Sequence, residues 1–387
     1  MKLLIAGDYC ETFRVKECVA NGDYSRIFGK IKDTISKMDY SIVNFEFPIV
    51  CDEKRTQKVY KCGPTLRGSL SSVDALKYVG FNCCTLANNH ILDQGADCCL
   101  DTKKILQEAG IDTVGAGDTL TSAGNVLYKH IGDITLAIIN CCEHEFSIAH
   151  SDSPGANPLN AVHQYYKIKE ARENADFVVV IVHGGHEHYQ LPSIRMKETY
   201  HFFIDAGADA VINHHQHCYS GYEVYNKKPI FYGLGNFCFD WEGRIDGIWN
   251  EGFFLVLNLR KEKEIDYEII PFKQCGKNVG IYPLEDDTSF HSTIEKLNNI
   301  IKSDSKLSAH NKAYYLTEES SILNKYEPYN NRVLRRLYGM GILPSVTTKK
   351  QLLAIWNYIE CESHRDKQIA VFNEWRDKLK KKCCFIK

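Results

Sequence analysis

The sequence predicts a layered α/β fold, and three observations carry that prediction. Short apolar runs alternate with amphipathic stretches through the first 270 residues, the signature of strands interleaved with helices. One run, Phe177 to Val182, is unbroken and rich in β-branched residues, as in a sheet buried on both faces. Polar side chains stand immediately after the runs, where loops over a sheet edge build binding sites.

The elements follow in order. Leu3 to Ala6 is a short strand ending at Gly7-Asp8, and Tyr40 to Phe45 a second that ends at Glu46 and is stopped by Pro48. Phe81 to Leu86 leads into Asn88, Asn89 and His90; Phe177 to Val182 ends at His183; Ala210 to Ile212 leads into His214, His215 and His217. Helices are expected over 97–109, 161–174 and 193–206, the first and last stopped by Gly110 and Gly207. Tyr222 to Tyr225, Pro229 to Tyr232, Phe253 to Leu259 and Ile265 to Ile270 read as short strands of a second, partly antiparallel sheet. Beyond 275 the chain reads as helical and polar, with Thr348 a candidate cap and Leu352, Ile355, Trp356 and Ile359 on one face; Ile369, Phe372 and Trp375 line another. These patterns divide the chain into a domain over 1–275 and a mostly helical region over 276–387, an appendage that covers the main domain or builds a homo-oligomer contact.

Composition narrows the function. With 47 basic and 49 acidic side chains the net charge is -2, so nothing predicts a nucleic-acid partner, which needs a basic face. No run approaches the roughly 20 apolar residues of a membrane span, and Met1 to Ala6 turns polar too early for an export signal. The 16 cysteines include four adjacent pairs, among them Cys83-Cys84 and Cys141-Cys142. None has zinc-knuckle spacing, so reduced, buried thiols and a cytoplasmic location are expected. The terminal Lys380 to Lys387 is read as a solvated helix end, since Lys387 does not suit a prenylation signal at Cys384.

Asp8, Glu46, Asn89, His183 and His215 each follow a strand end. Carboxylates and imidazoles without cysteine suit Mn, Fe or Zn. Histidines at i and i+2, such as His215 and His217, point apart in extended backbone, but at a bend they can straddle metal ions. The glycines of Gly233-Leu234-Gly235-Asn236 lack the strand and helix of a nucleotide loop and are read as backbone closing under the centre.

The ordered blocks Gly7-Asp8, Asn44-Phe45-Glu46, Asn88-Asn89-His90 with Asp93, His183 to Glu187, Asn213 to His217 and Phe231 to Phe237 resemble the bacterial capsule synthesis proteins of the CapA/PgsA type. These are associated with poly-γ-glutamate production and belong to the calcineurin-like metallophosphoesterase superfamily. The resemblance covers about residues 3 to 240. It implies a four-layer α/β/β/α sandwich and a centre for one or two divalent ions. Asp8 and His217 would bind the first ion and Asn89, His183 and His215 the second, with Glu46 bridging. His90 would contact the substrate oxyanion or protonate the leaving group, with Asn88, Asp93 and Glu187 beside it on the catalytic side. Cys10, His186, His188, His214 and Asn236 would support the ligands or face the substrate.

The family implies a metal-dependent hydrolase whose substrate, small or polymeric, carries phosphate or carboxylate groups. A non-catalytic scaffold partnered with capsule machinery is the alternative. Five positions depart from the superfamily pattern. Cys10 stands where a histidine is usual and Glu46 where Asp is common, which alters the first-metal side. Gly184 would widen the pocket, and Asn213 and Gln216 stand where Gly and Pro are common.

Overall fold

The computed structural model describes residues 1–323, 325–329 and 331–384. Two compact units are present, Met1–Ser308 and Ala309–Lys387.

The first unit is organised by the strand Lys2–Cys10. Leu3 and Ile5 enter one apolar cluster and Leu4 and Ala6 the other, as the two-residue period of a strand dictates. On one side it pairs in parallel with Tyr40–Phe45, followed by Cys83–Thr85 and Asp112–Val114. On the other it pairs antiparallel with Glu251–Asn258, then Asp266–Gln274 and Ile281–Pro283. The second sheet runs in the order Tyr222–Tyr225, Lys228–Phe231, Ala210–His214, Phe177–His183, Ile134–Cys142, Leu127–Ile131. Its four central strands are parallel, and all seven residues of Phe177–His183 are buried.

This topology corrects one expectation. The four short strands read as a separate second sheet are divided: 222–225 and 228–231 extend the histidine-bearing sheet, while 251–258 and 266–274 extend the first. Alternation fixes which face a strand buries but not which edge it joins.

The apolar clusters set the layers. Leu3, Ile5 and Ile42 of the first sheet share a core with Ile138, Val180 and Ile212 of the second, so the sheets pack face to face. Helices Phe13–Ala20, Ser71–Val79 and Ala96–Glu108 cover the outer face of the first sheet through Val19, Leu76 and Leu106. Helices Ala161–Asn174 and Ile194–Ala206 cover the second through Ile168, Met196 and Phe203. The order is helix, sheet, sheet, helix, the four-layer arrangement that the resemblance implies. Helix starts follow local chemistry: Asn160 accepts from the Val162 and His163 amides, and Ser193 from that of Met196.

The strand Ile281–Pro283 and the helix Thr288–Ile301 lie past residue 275 yet belong to the first unit, the helix through Phe290, Ile294 and Ile301. In the second unit Thr348 caps Lys349–Glu360 reciprocally with Gln351, and Glu362–Cys384 follows. Trp356, Ile359, Phe372 and Trp375 are exposed there. Lys387, on which the prenylation reading turns, lies outside the described residues. No helix among the described residues is long and apolar enough to cross a membrane, and the cysteines from Cys10 to Cys361 are free.

Candidate metal centre

The expected ligands come from both sheets and meet at one edge of the sandwich. Register irregularities flank Asp8, which stays paired with Asn44 on one side and with Asn236 of the strand Asn236–Phe239 on the other. Gly7 permits this approach, because a Cβ there would sit 1.8 Å from the Gly235 carbonyl oxygen. Cys142, His183 and His214 lie level across three parallel strands, so the loops after them open together. Among the described residues, three of the eight non-glycine positions with positive φ are His188, His215 and His217. This left-handed backbone supplies the bend that lets His215 and His217 face one centre, and such strain concentrates at functional sites.

Two clusters of ligand atoms form there, Asp8 with Glu46 and His217, and Glu46 with His183 and His215. Glu46 belongs to both. The His183 Nε2 is 3.6 Å and the His217 Nε2 3.9 Å from Glu46 Oε1. Asn89 joins the second cluster: its Oδ1 lies 3.1 Å from His183 Nε2, while its amide nitrogen donates to Glu145. The His215 Nδ1 is 3.1 Å from His183 Nε2, and the His215 amide donates to Asp8 Oδ2. Asn44 donates to Asp8 Oδ1 at 2.7 Å and lies 3.2 Å from His183 Nδ1. His217 Nδ1 is 2.9 Å from Asn236 Oδ1, and the Asn236 amide nitrogen donates to the His217 and Trp249 carbonyls.

Electrostatics test whether these residues fit a cation. Glu46 is fully buried and neither carboxylate oxygen has a hydrogen-bond partner among the described residues. Burial, aided by the nearby Asp8 charge, pushes its carboxyl well above the ordinary range. Burial alone would also raise Asp8, but its hydrogen bond with His217 and the nearby His183 hold it below its usual value. Burial lowers His183 far below the imidazole range, with His215 adding to it. Burial would lower His217 too, yet its contact with Asp8 leaves it raised. An unpaired buried carboxylate costs several kcal/mol, so a bridging acid without donors is a poor stabilising element. It is a good ligand, and neutral imidazoles beside it complete a set of hard and borderline donors for divalent ions.

The catalytic candidates divide by position. His90 is buried and lines a cleft of about 230 Å³ together with Asn89, Glu187, His188 and His217. Its Nδ1 lies 2.6 Å from Asp93 Oδ2, which also accepts the Leu66 amide; Asp93 Oδ1 takes the Lys61 ammonium. Burial lowers His90, against the pull of Asp93. Asn88 is fully buried and does not line the cleft; its amide nitrogen donates to the Phe45 carbonyl and its oxygen accepts the His90 amide. Glu187 is exposed at the cleft.

Among the supporting candidates, Cys10 packs in the apolar cluster of the first sheet, where burial pushes its thiol well up. His188 lies 3.3 Å from the Arg244 guanidinium. His214 is buried, with neither ring nitrogen hydrogen-bonded, and burial lowers its pKa. His186 is half-buried in the loop after His183. Gly184 does not widen the pocket: a Cβ there would meet Glu143 Cγ at 2.6 Å, so the glycine makes room for that side chain. Asn213 buttresses the loops, donating to the Gly184, His214 and Tyr232 carbonyls and accepting from Tyr200.

Four residues not selected from the sequence also shape the site: Asn44, Lys61, Glu145 and Arg244. Glu145 follows the strand Ile134–Cys142, so the rule that found the histidines would also have found it. Lys61 and Arg244 lie in irregular segments and carry no such signal.

Residues 2–241 match the family described as bacterial capsule synthesis protein PGA_cap. The chain belongs to this family. It is similar to the capsule biosynthesis protein CapA of Bacillus anthracis, 33% identical over 246 residues, covering 62% of this chain and 60% of that protein. The PGA biosynthesis protein CapA of Bacillus subtilis (strain 168) is 34% identical over 220 residues, 55% of this chain and 57% of that protein. The chain therefore spans less than two thirds of the length of either relative. Among solved structures, a putative 5'-nucleotidase from Staphylococcus aureus is similar with a TM-score of 0.44 and 17% identity, over 77% of this chain and 58% of that chain. Every residue of the two ligand clusters lies inside the span matched to the family, whereas Arg244 and Trp249 lie beyond it.

Proposed function

We propose that this protein is a metal-dependent hydrolase of capsule-related metabolism, acting on a phosphoester or on another bond whose transition state carries an oxyanion. The observation that carries this reading is Glu46, a buried carboxylate without hydrogen-bond donors among the described residues, shared by two ligand clusters beside a cleft that His217 and Asn89 line. Divalent ions held by Asp8, Glu46, Asn89, His183, His215 and His217 would supply an activated water and neutralise oxyanion charge. His90 supplies the proton path. With Nδ1 committed to Asp93, its Nε2 is the nitrogen left for the substrate, within reach of neutral-pH proton transfer. The ester P–O bond breaks, water oxygen forms the new P–O bond, and a proton passes through His90 to the leaving oxygen.

The Bacillus relatives are named for capsule and PGA biosynthesis, which supports a capsule-related substrate, a γ-glutamyl amide being the variant to test beside phosphoesters. The free cysteines support a reducing, cytoplasmic setting.

The test is metal analysis of the purified protein, followed by a metal-supplemented screen of phosphomonoesters, phosphodiesters and γ-glutamyl peptides. Bound metal with turnover that falls ~100-fold or more in His90→Ala is expected. Wild-type rates in that variant would remove His90 from the chemistry. No turnover in a fully metal-loaded protein would replace the hydrolase with a metal-binding scaffold.

A further inference from the structure

The cleft has a chemical asymmetry that the metal centre does not explain. Two aromatic rings pack against His217, Trp249 at 4.8 Å and Phe239 at 5.2 Å between centroids, and Trp241 lies beyond both, 6.3 Å from Trp249 and 5.9 Å from Phe239. Trp249, Phe239 and Trp241 all line the cleft. Trp249 is fixed in place, its indole N–H donating to the Phe239 carbonyl and its face covered by the Arg244 guanidinium at 4.9 Å. Trp241 is different. It is half-buried, and its contacts with Phe13, Phe239 and Trp249 are edge-on or tilted, with interplanar angles of 66°, 69° and 57°. Among the described residues no ring stacks flat on it.

The turn that carries Trp241 is held rigidly from both ends. Asp240, buried, receives the Arg14 side chain at both carboxylate oxygens and the Arg14 amide at one of them. The Arg244 carbonyl accepts from the Asn250 amide. Arg244 itself makes no ion pair among the described residues; its guanidinium reaches only to His188 Nε2 and the Trp249 face. By contrast the other cation of the cleft, Lys61, is neutralised by Asp93. A rigid aromatic wall whose Trp241 ring carries no flat-stacked partner among the described residues, next to a guanidinium with no ion pair there, suits a ligand that is planar at one end and anionic at the other.

We propose that the Phe239–Trp241 wall is the subsite for the leaving-group side of the substrate, and that the substrate class is a small phosphoryl ester of an aromatic or heteroaromatic alcohol. The phosphoryl group sits over the ligand clusters, where Arg244 adds positive charge, and the planar group lies on Trp241. Trp241 is therefore a specificity residue for ring-bearing substrates. The inference takes its reacting group from the hydrolase reading above, but the wall can be tested without turnover.

The experiment compares phenylphosphonate with methylphosphonate, neither of which is hydrolysed, by calorimetric titration of the manganese-loaded full-length protein. Phenylphosphonate is expected to bind about tenfold more tightly, the scale of one aromatic contact. Trp241→Ala erases that preference, and Trp241→Phe, which keeps a ring on the same turn, retains most of it. Arg244→Ala weakens both ligands. Equal binding of the two phosphonates by the parent protein, no binding of either, or a preference that survives Trp241→Ala would each overturn the subsite. A preference that depends on Trp241 in a protein that turns over no phosphoester would leave the subsite standing and remove the hydrolase. Phosphoester turnover with no preference for the phenyl group would do the reverse.

Discussion

The two ligand clusters that meet at Glu46 are built to different standards. The second gathers Glu46, His183 and His215 in one group, with the Asn89 amide oxygen 3.1 Å from His183 and the Asn89 nitrogen held by Glu145. The first offers Asp8, Glu46 and His217 only, and the neighbouring strand position is filled by the apolar packing of Cys10. Four donors drawn from the ends of four strands are organised before any cation arrives, whereas three leave more coordination positions to water or substrate. The difference teaches that one centre can hold a tight ion and an exchangeable one, with Glu46 the hinge between them.

The largest expected effect comes from removing that hinge. Glu46→Gln deletes the bridging charge from both clusters, so the variant should lose both ions. A cation at a thousandfold excess over its dissociation constant stabilises a protein by about 4 kcal/mol. Thermal melts with and without manganese should therefore show a rise in Tm for the parent chain and almost none for Glu46→Gln. A wild-type rise in the variant would mean that Glu46 binds nothing and its orphaned oxygens need another explanation.

Smaller effects should separate the two clusters. His215→Ala removes a donor of the second cluster alone, and Asp8→Asn weakens the first alone. Metal titration should show the tight ion weakened by roughly 100-fold in His215→Ala, comparable to or beyond what loss of a supporting partner costs a metal site. In Asp8→Asn the tight ion should stay and the loose one should disappear from the stoichiometry. If both variants lose metal equally, the clusters act as a single site and the comparison collapses.

Much of this was legible in the sequence because the ligands obey a simple placement rule. Phe177 to Val182 reads as a buried strand from its β-branched run alone, and the histidine that ends it must then stand at the sheet edge. What stayed hidden depends on tertiary pairing. Nothing local distinguishes 222–231, which joins the histidine-bearing sheet, from 251–274, which joins the other. Nor does residue type reveal that Gly184 accommodates Glu143, or that Lys61, far from any regular element, ends buried against Asp93. Helices gave clearer signals: Ser193 and Gly207 mark the limits of Ile194–Ala206 through their own cap chemistry.

The smallest effect should come from Cys10, where the resemblance read from the sequence implies a histidine. Cys10 lies at the end of the strand that carries Asp8, close enough for a thiolate to be considered as a ligand. Yet its side chain is fully buried in the first sheet's apolar cluster, and burial together with the nearby Glu46 charge pushes the thiol well above its ordinary value. A metal ligand needs the thiolate, and this environment resists forming it. Cys10→Ala should accordingly leave both metal affinities unchanged while lowering stability by roughly 1 kcal/mol, the scale of a small cavity. Denaturant unfolding and metal titration on the same preparation would separate the two quantities. A weakened first site in that variant would make Cys10 a ligand after all and raise the three-donor cluster to four, removing the asymmetry on which the other variants depend.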